Sequence, residues 1–70
     1  MVTPKDIAQA IANAYDTSSS DVHYYRADGT PAVNIEEARY MTRYNPLTKR
    51  LRVMFYPHHD TIGLFYLGDD

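Results

Sequence analysis

Residues 40–67 read YMTRYNPLTKRLRVMFYPHHDTIGLFYL, and the division of that stretch decides the fold. Asn45-Pro46-Leu47-Thr48 places Asn first and Pro second, the order a type I turn favours. Pro57-His58-His59-Asp60 is taken as the next loop, interrupting the following run. Between these breaks lie short segments rich in β-branched and aromatic residues, so three strands joined by two hairpins are expected, the first from Ala38 to Tyr44. If Tyr44 pairs with Lys49, Tyr40 faces Val53 and Thr42 faces Leu51 on one side, while Met41 faces Arg52 and Arg43 faces Arg50 on the other. If Tyr56 pairs with Thr61, Phe55 meets Ile62, Val53 meets Leu64 and Leu51 meets Tyr66. A slip of one residue would drive arginine into the apolar row, so the division into faces is strongly specified.

The expected core face therefore holds Tyr40, Leu51, Val53, Phe55, Ile62, Leu64 and Tyr66. The expected outer face interleaves Arg39, Arg43, Arg50 and Arg52 with Met41, Met54, Phe65 and Leu67. Half-buried antiparallel sheets normally carry polar residues outside. Here the outside is mixed, and Phe65 beside Arg52 would suit a cation–π contact.

Upstream, Thr3-Pro4-Lys5-Asp6 reads as a helix start: Thr3 caps, Pro4 takes the first helical position, and Asp6 reaches back from the third. Ile7, Ala10, Ile11 and Ala14 follow at helical spacing and predict a narrow stripe for covering the sheet. Residues 16–20 are a polar linker. Val22 to Arg26, the turn signal Asp28-Gly29 and Thr30 to Val33 predict a strand, a turn and a short edge segment. Asn34 with Glu37 three residues later would also start a short helix running to about Tyr44, the alternative to the Ala38–Tyr44 strand. The expected fold is one α+β domain over residues 1–70: an N-terminal helix on an antiparallel sheet of three to five strands, with a C-terminal three-stranded meander.

Charge is segregated along the chain. Residues 39–59 hold five of the seven basic side chains and no acidic one, leaving two basic against nine acidic elsewhere; the net charge of −2 conceals this. A basic face suits an anionic or acidic partner. Arg43 against Arg50 would be a mildly destabilising like-charge pair unless an anion bridged it. The plain structural alternative is a solvated surface whose charges discourage strand-to-strand association. Tyrosine occurs seven times and Trp not at all. Tyr suits strands, and it equally suits interfaces, because it offers stiff contact area with a polar tip.

Catalysis finds no foothold. There is no cysteine, hence no disulfide, thiolate ligand or thiol nucleophile. His23, His58 and His59 could suggest a metal site, but adjacent His58 and His59 point to different sides of an extended backbone and no Cys or well-spaced carboxylate completes a set, so none is expected. Ser18-Ser19-Ser20-Asp21 with His23 is a local grouping, whereas a triad converges from separate elements. Glu36-Glu37 has no visible acid–base partner, and Gly29, Gly63 and Gly68 form no phosphate-cradling motif. The start, Met-Val-Thr-Pro-Lys-Asp, lacks the basic and apolar regions of a secretion signal, so a cytoplasmic protein without membrane association is expected.

The function expected is a non-catalytic protein-binding domain needing no cofactor: a small inhibitor or antagonist of a larger protein or complex, of the kind phages direct at host enzymes or defence systems. Its partner would present an acidic surface. Candidate contacts are Arg39, Arg43, Arg50, Arg52, Met54, Tyr56 and Phe65, with Tyr24, Tyr25, His58 and His59 as secondary candidates. The alternative is a nucleic-acid module using the basic, aromatic sheet face to stack bases. Against it stands a sequence pI of 5.8, far from the basic footprint usual for such domains. A third reading buries the mixed face in a homodimer.

Overall fold

The computed structural model describes residues 1–18 and 22–68. Helix α1 (Pro4–Asn13) is followed by strand β1 (Val22–Tyr25), a 3-10 turn (Ile35–Glu37), and strands β2 (Tyr40–Asn45), β3 (Arg50–Phe55) and β4 (Thr61–Tyr66). The strands form one antiparallel sheet in the order β1-β2-β3-β4, with the helix packed across β3 and β4. This is the expected α+β architecture. Ser19, Ser20 and Asp21, which complete the polar linker and the Ser/Asp/His grouping, lie outside the described residues.

The helix begins as its sequence dictates. Thr3 Oγ1 accepts from Asp6 N–H at 3.3 Å, and Asp6 accepts from Thr3 N–H at 2.9 Å, a reciprocal capping box. The stripe that meets the sheet is rotated from the one expected. Ala8, Ile11 and Ala12 are buried and Ile7 and Tyr15 pack beside them, while Ala10 and Ala14 are exposed. Small Ala8 and Ala12 let the backbone approach the sheet, and Tyr15 prolongs the stripe by a turn beyond the helix. Its ring lies 5.6 Å from those of His23 and Tyr44.

After β1, the chain turns through Asp28-Gly29 and lies back along the open edge of the strand. Arg26 N–H donates to Thr30 O at 2.7 Å, Ala32 N–H donates to Tyr24 O at 3.0 Å, and Tyr25 bridges to Pro31. Gly29 has φ +89°, and a Cβ there would stand 3.4 Å from Ile7 Cγ2. Both the left-handed backbone and the contact with the helix favour glycine. The Asn34–Glu37 signal gives only its 3-10 turn, in which Glu37 accepts from Asn34 N–H at 3.4 Å. Strand β2 then starts at Tyr40, so 34–44 is a turn leading into a strand.

Register explains which expectations hold. Asn45 pairs with Arg50, so Thr42 meets Val53 and Arg43 meets Arg52, two residues away from the expected pairing. Lys49 causes the shift. It takes a left-handed conformation (φ 60°), donates from its N–H to Asn45 O at 2.7 Å and so belongs to the turn. A two-residue shift preserves parity, and every β2 and β3 side chain keeps its expected face. The second hairpin is different. Met54 pairs with Thr61 but Val53 pairs with Gly63, leaving Ile62 as an extra residue in a β-bulge. Every side chain after the bulge changes face. Leu64 and Tyr66, expected in the core, are 66% and 60% exposed, whereas Phe65 and Leu67, expected outside, pack on the core.

The core face therefore consists of three cross-strand rows: Tyr25–Tyr40–Phe55, His23–Thr42–Val53–Gly63 and Tyr44–Leu51–Phe65. Leu51, Val53 and Thr42 are fully enclosed. Phe65 leans over Gly63, where an added Cβ would stand 2.9 Å from its ring. Burial pushes the Tyr25 hydroxyl above its ordinary pKa, partly offset by a hydrogen bond with Thr42.

Candidate functional site

The same registers define the outer face: Tyr24–Met41–Met54–Thr61, then Val22–Arg43–Arg52–Leu64, then Asn45–Arg50–Tyr66. None of these residues is acidic. Arg43, Arg50 and Arg52 are exposed and, among the described residues, no carboxylate lies within 4.0 Å of their guanidinium groups. Arg43 and Arg52 are direct cross-strand partners, correcting the Arg43–Arg50 pairing expected from sequence. Arg50 stands between Asn45 and Tyr66.

Four of the acids have other work. Asp6 caps the helix, Asp16 accepts from Ser18 N–H and Oγ, and Asp28 accepts from Thr30 N–H and Oγ1. Glu37 accepts from Val33 N–H and pairs with Arg26 at 3.3 Å, the one ion pair among the described residues. Hydrogen bonds from Asn34 N–H and Arg26 hold the Glu37 carboxyl below the usual carboxylate range, and Thr30 does the same for Asp28. These four carboxylates are engaged at turns and at the helix cap, and among the described residues none lies within 4.0 Å of an outer-face arginine.

Beneath these arginines, the outer face is packed. Met41 and Met54 oppose each other across β2 and β3 and are only 7% and 5% exposed, although they point away from the helix. They share a shallow cavity of about 180 Å³ with Arg43, Arg52 and His59. Arg52 is held there by a hydrogen bond from Nε to Thr61 Oγ1 at 2.8 Å. His59 comes from the β3–β4 loop, where its φ is 64°. It also begins an aromatic border: its ring lies 6.2 Å from that of Tyr56, which meets Tyr24 edge-on at 5.2 Å.

Of the contacts expected from sequence, Arg43, Arg50, Arg52 and Met54 gather on this face, with Tyr24, Tyr56 and His59 along its border. Four do not join them. Phe65 lies opposite Leu51 on the core face and cannot serve Arg52 as a cation–π partner. Tyr25 also faces the core. Arg39 sits at the end of the sheet, its Nη1 donating to Ala38 O at 2.8 Å and Glu36 O at 3.4 Å. His58 is exposed in the loop. Val22, Leu64 and Tyr66 are additional members of the face. The signal for the last two is Gly63, since glycine inside a strand marks a bulge that reverses the faces beyond it.

His23 faces the core, its Nε2 buried without a hydrogen-bond partner, and so stands apart from His58 and His59. Among the described residues, no three His, Asp or Glu side chains cluster as metal ligands, and no helix is long and apolar enough to cross a membrane. No family model, curated protein or solved structure matches this chain.

Proposed function

We propose that the chain is a non-catalytic protein-binding module, an antagonist of a larger protein or complex, that docks an acidic partner surface onto the outer face of its sheet. The observation that carries this is the opposed pair Arg43 and Arg52, without a carboxylate in ion-pair range among the described residues. Val22, Leu64 and Tyr66 lie exposed around them. Exposed apolar groups beside arginine are the usual composition of protein interfaces, where Arg and aromatic residues carry much of the binding energy. A cationic rim also steers an acidic partner into encounter.

The test is affinity capture in the native host by wild-type protein and by an Arg43→Glu/Arg52→Glu variant, with quantitative mass spectrometry. The captured protein is then purified and titrated at increasing salt. A partner that the variant loses at nearly unchanged Tm, and whose association slows with salt, supports the proposal. A partner held equally well by the variant overturns it. So does capture of nucleic acid whose binding weakens in Tyr56→Ala or Tyr66→Ala, since loss of stacking marks a base platform.

A further inference from the structure

We propose that the cavity between Arg43 and Arg52 is an oxyanion subsite that takes one carboxylate or phosphate group presented by the partner. In its biological role this rests on the outer face being the docking surface. It adds the chemical group recognised and the atoms that recognise it.

Side chains directly opposed on neighbouring antiparallel strands have Cβ atoms about 5 Å apart, so the Arg43 and Arg52 guanidinium groups can close on one small anion. Each has five N–H donors in a planar fork matched to carboxylate or phosphate oxygens. Arg52 spends Nε on Thr61 Oγ1, which fixes its stem and leaves its terminal NH2 groups for a ligand. His59, on the rim, brings an imidazole to the same cavity. The walls are the buried Met41 and Met54. An apolar flank removes water from one side of the ion and strengthens its attraction to the arginines.

Size narrows the ligand. The cavity holds about 180 Å³, below the roughly 300–1,000 Å³ of sites that enclose drug-sized molecules. It accommodates an oxyanion with attendant water, which takes about 30 Å³ per molecule. Empty, the pair repels; occupied, the repulsion becomes two-sided attraction. The subsite is thus a charge-selective point within a larger protein contact.

The probe is inorganic phosphate, with sodium acetate and sodium chloride as parallel arms at matched ionic strength. The signals are the Nε–H resonances of the arginines and the methyl resonances of the methionines in the intact chain. Phosphate is expected to shift Arg43, Arg52, Met41 and Met54 saturably, leaving Arg26 and Arg39 in place. Arg43→Gln should weaken that binding by about tenfold or more, the equivalent of one charge-assisted contact, with the remaining spectrum unchanged. Acetate acting as phosphate does identifies a carboxylate side chain as sufficient; response to phosphate alone identifies a phosphorylated residue. Unsaturable shifts equal to those in chloride, or shifts spread over Arg26 and Arg39, overturn the subsite. The two proposals fail separately. If no anion binds yet Arg43→Glu/Arg52→Glu releases the partner, the subsite falls and the docking face stands. If phosphate binds and the partner ignores the substitutions, the docking face falls.

Discussion

The two faces of the sheet are built from alternate residues of the same strands, yet they follow different rules. On the core face, each of the three rows carries an aromatic ring or an enclosed aliphatic, and the helix closes over Leu51 and Val53. On the outer face, two buried methionines support three arginines that have no carboxylate in ion-pair range among the described residues, and three exposed apolar groups. Since parity alone separates the faces, binding character can change on one without touching the packing of the other. Met41 and Met54 are the exception, because they are packed on the side that faces the proposed partner.

Substitutions can break this contrast, the largest effect coming from the core. Leu51→Ala should cost about 2–5 kcal/mol by chemical denaturation, as for other enclosed leucines. A chain this size has about 3–10 kcal/mol in total, so a substantial unfolded population should follow. A loss below about 0.5 kcal/mol, the range of ordinary surface changes, would mean the core lies elsewhere. Met54→Ala sharpens the contrast. Its burial on the outer side should cost about 2 kcal/mol, at the low end for a buried methionine, because only other side chains cover it. No loss would make the outer face a bare surface.

Arg43→Gln should have the opposite sign. Removing one of two opposed charges should raise stability by about 0.2–1 kcal/mol at low salt, and the gain should shrink as salt screens the repulsion. A loss of stability would show that Arg43 makes a favourable contact within the chain. The smallest effect is acidic and lies outside the rows of both faces. Because the Glu37 and Asp28 pKa values are depressed on folding, their contributions are present above the unfolded values of about 4 and lost as pH falls through the lower folded ones. Amide resonances of Val33, Asn34 and Thr30 should move in that range, with those of Leu51 and Val53 still.

Much of the fold was legible because its determinants are local. Thr3 and Asp6 specify a cap, Asp28-Gly29 a turn, and the alternation of Leu51 and Val53 with Arg50 and Arg52 a two-faced strand. The mispairing in the first hairpin was harmless to face assignment, since a lysine in a left-handed turn position moved the register by two. Partner identity was not so robust: Arg43 meets Arg52 rather than Arg50. The β4 bulge was costlier. One extra residue exchanged Leu64 and Tyr66 for Phe65 and Leu67, which removed Phe65 from the candidate site and added two apolar groups. Only Gly63 hinted at it. The helix stripe was misjudged because Ala8 and Ala10 are the same residue type; Ala8 is buried with Ile11 and Ala12, with Tyr15 packed beside them, while Ala10 is exposed.

The most direct test of the outer face as the docking surface is calorimetric titration of the purified partner against three proteins. These are the wild type, the Arg43→Glu/Arg52→Glu variant, and a Lys5→Glu/Lys49→Glu control with the same change in net charge, each with its Tm measured. The outer-face pair should weaken binding by about 100-fold or more, the control by only severalfold, and both should melt close to the wild type. Equal losses in the two variants would reduce the effect to long-range charge, and undiminished binding by the outer-face variant would contradict the assignment outright.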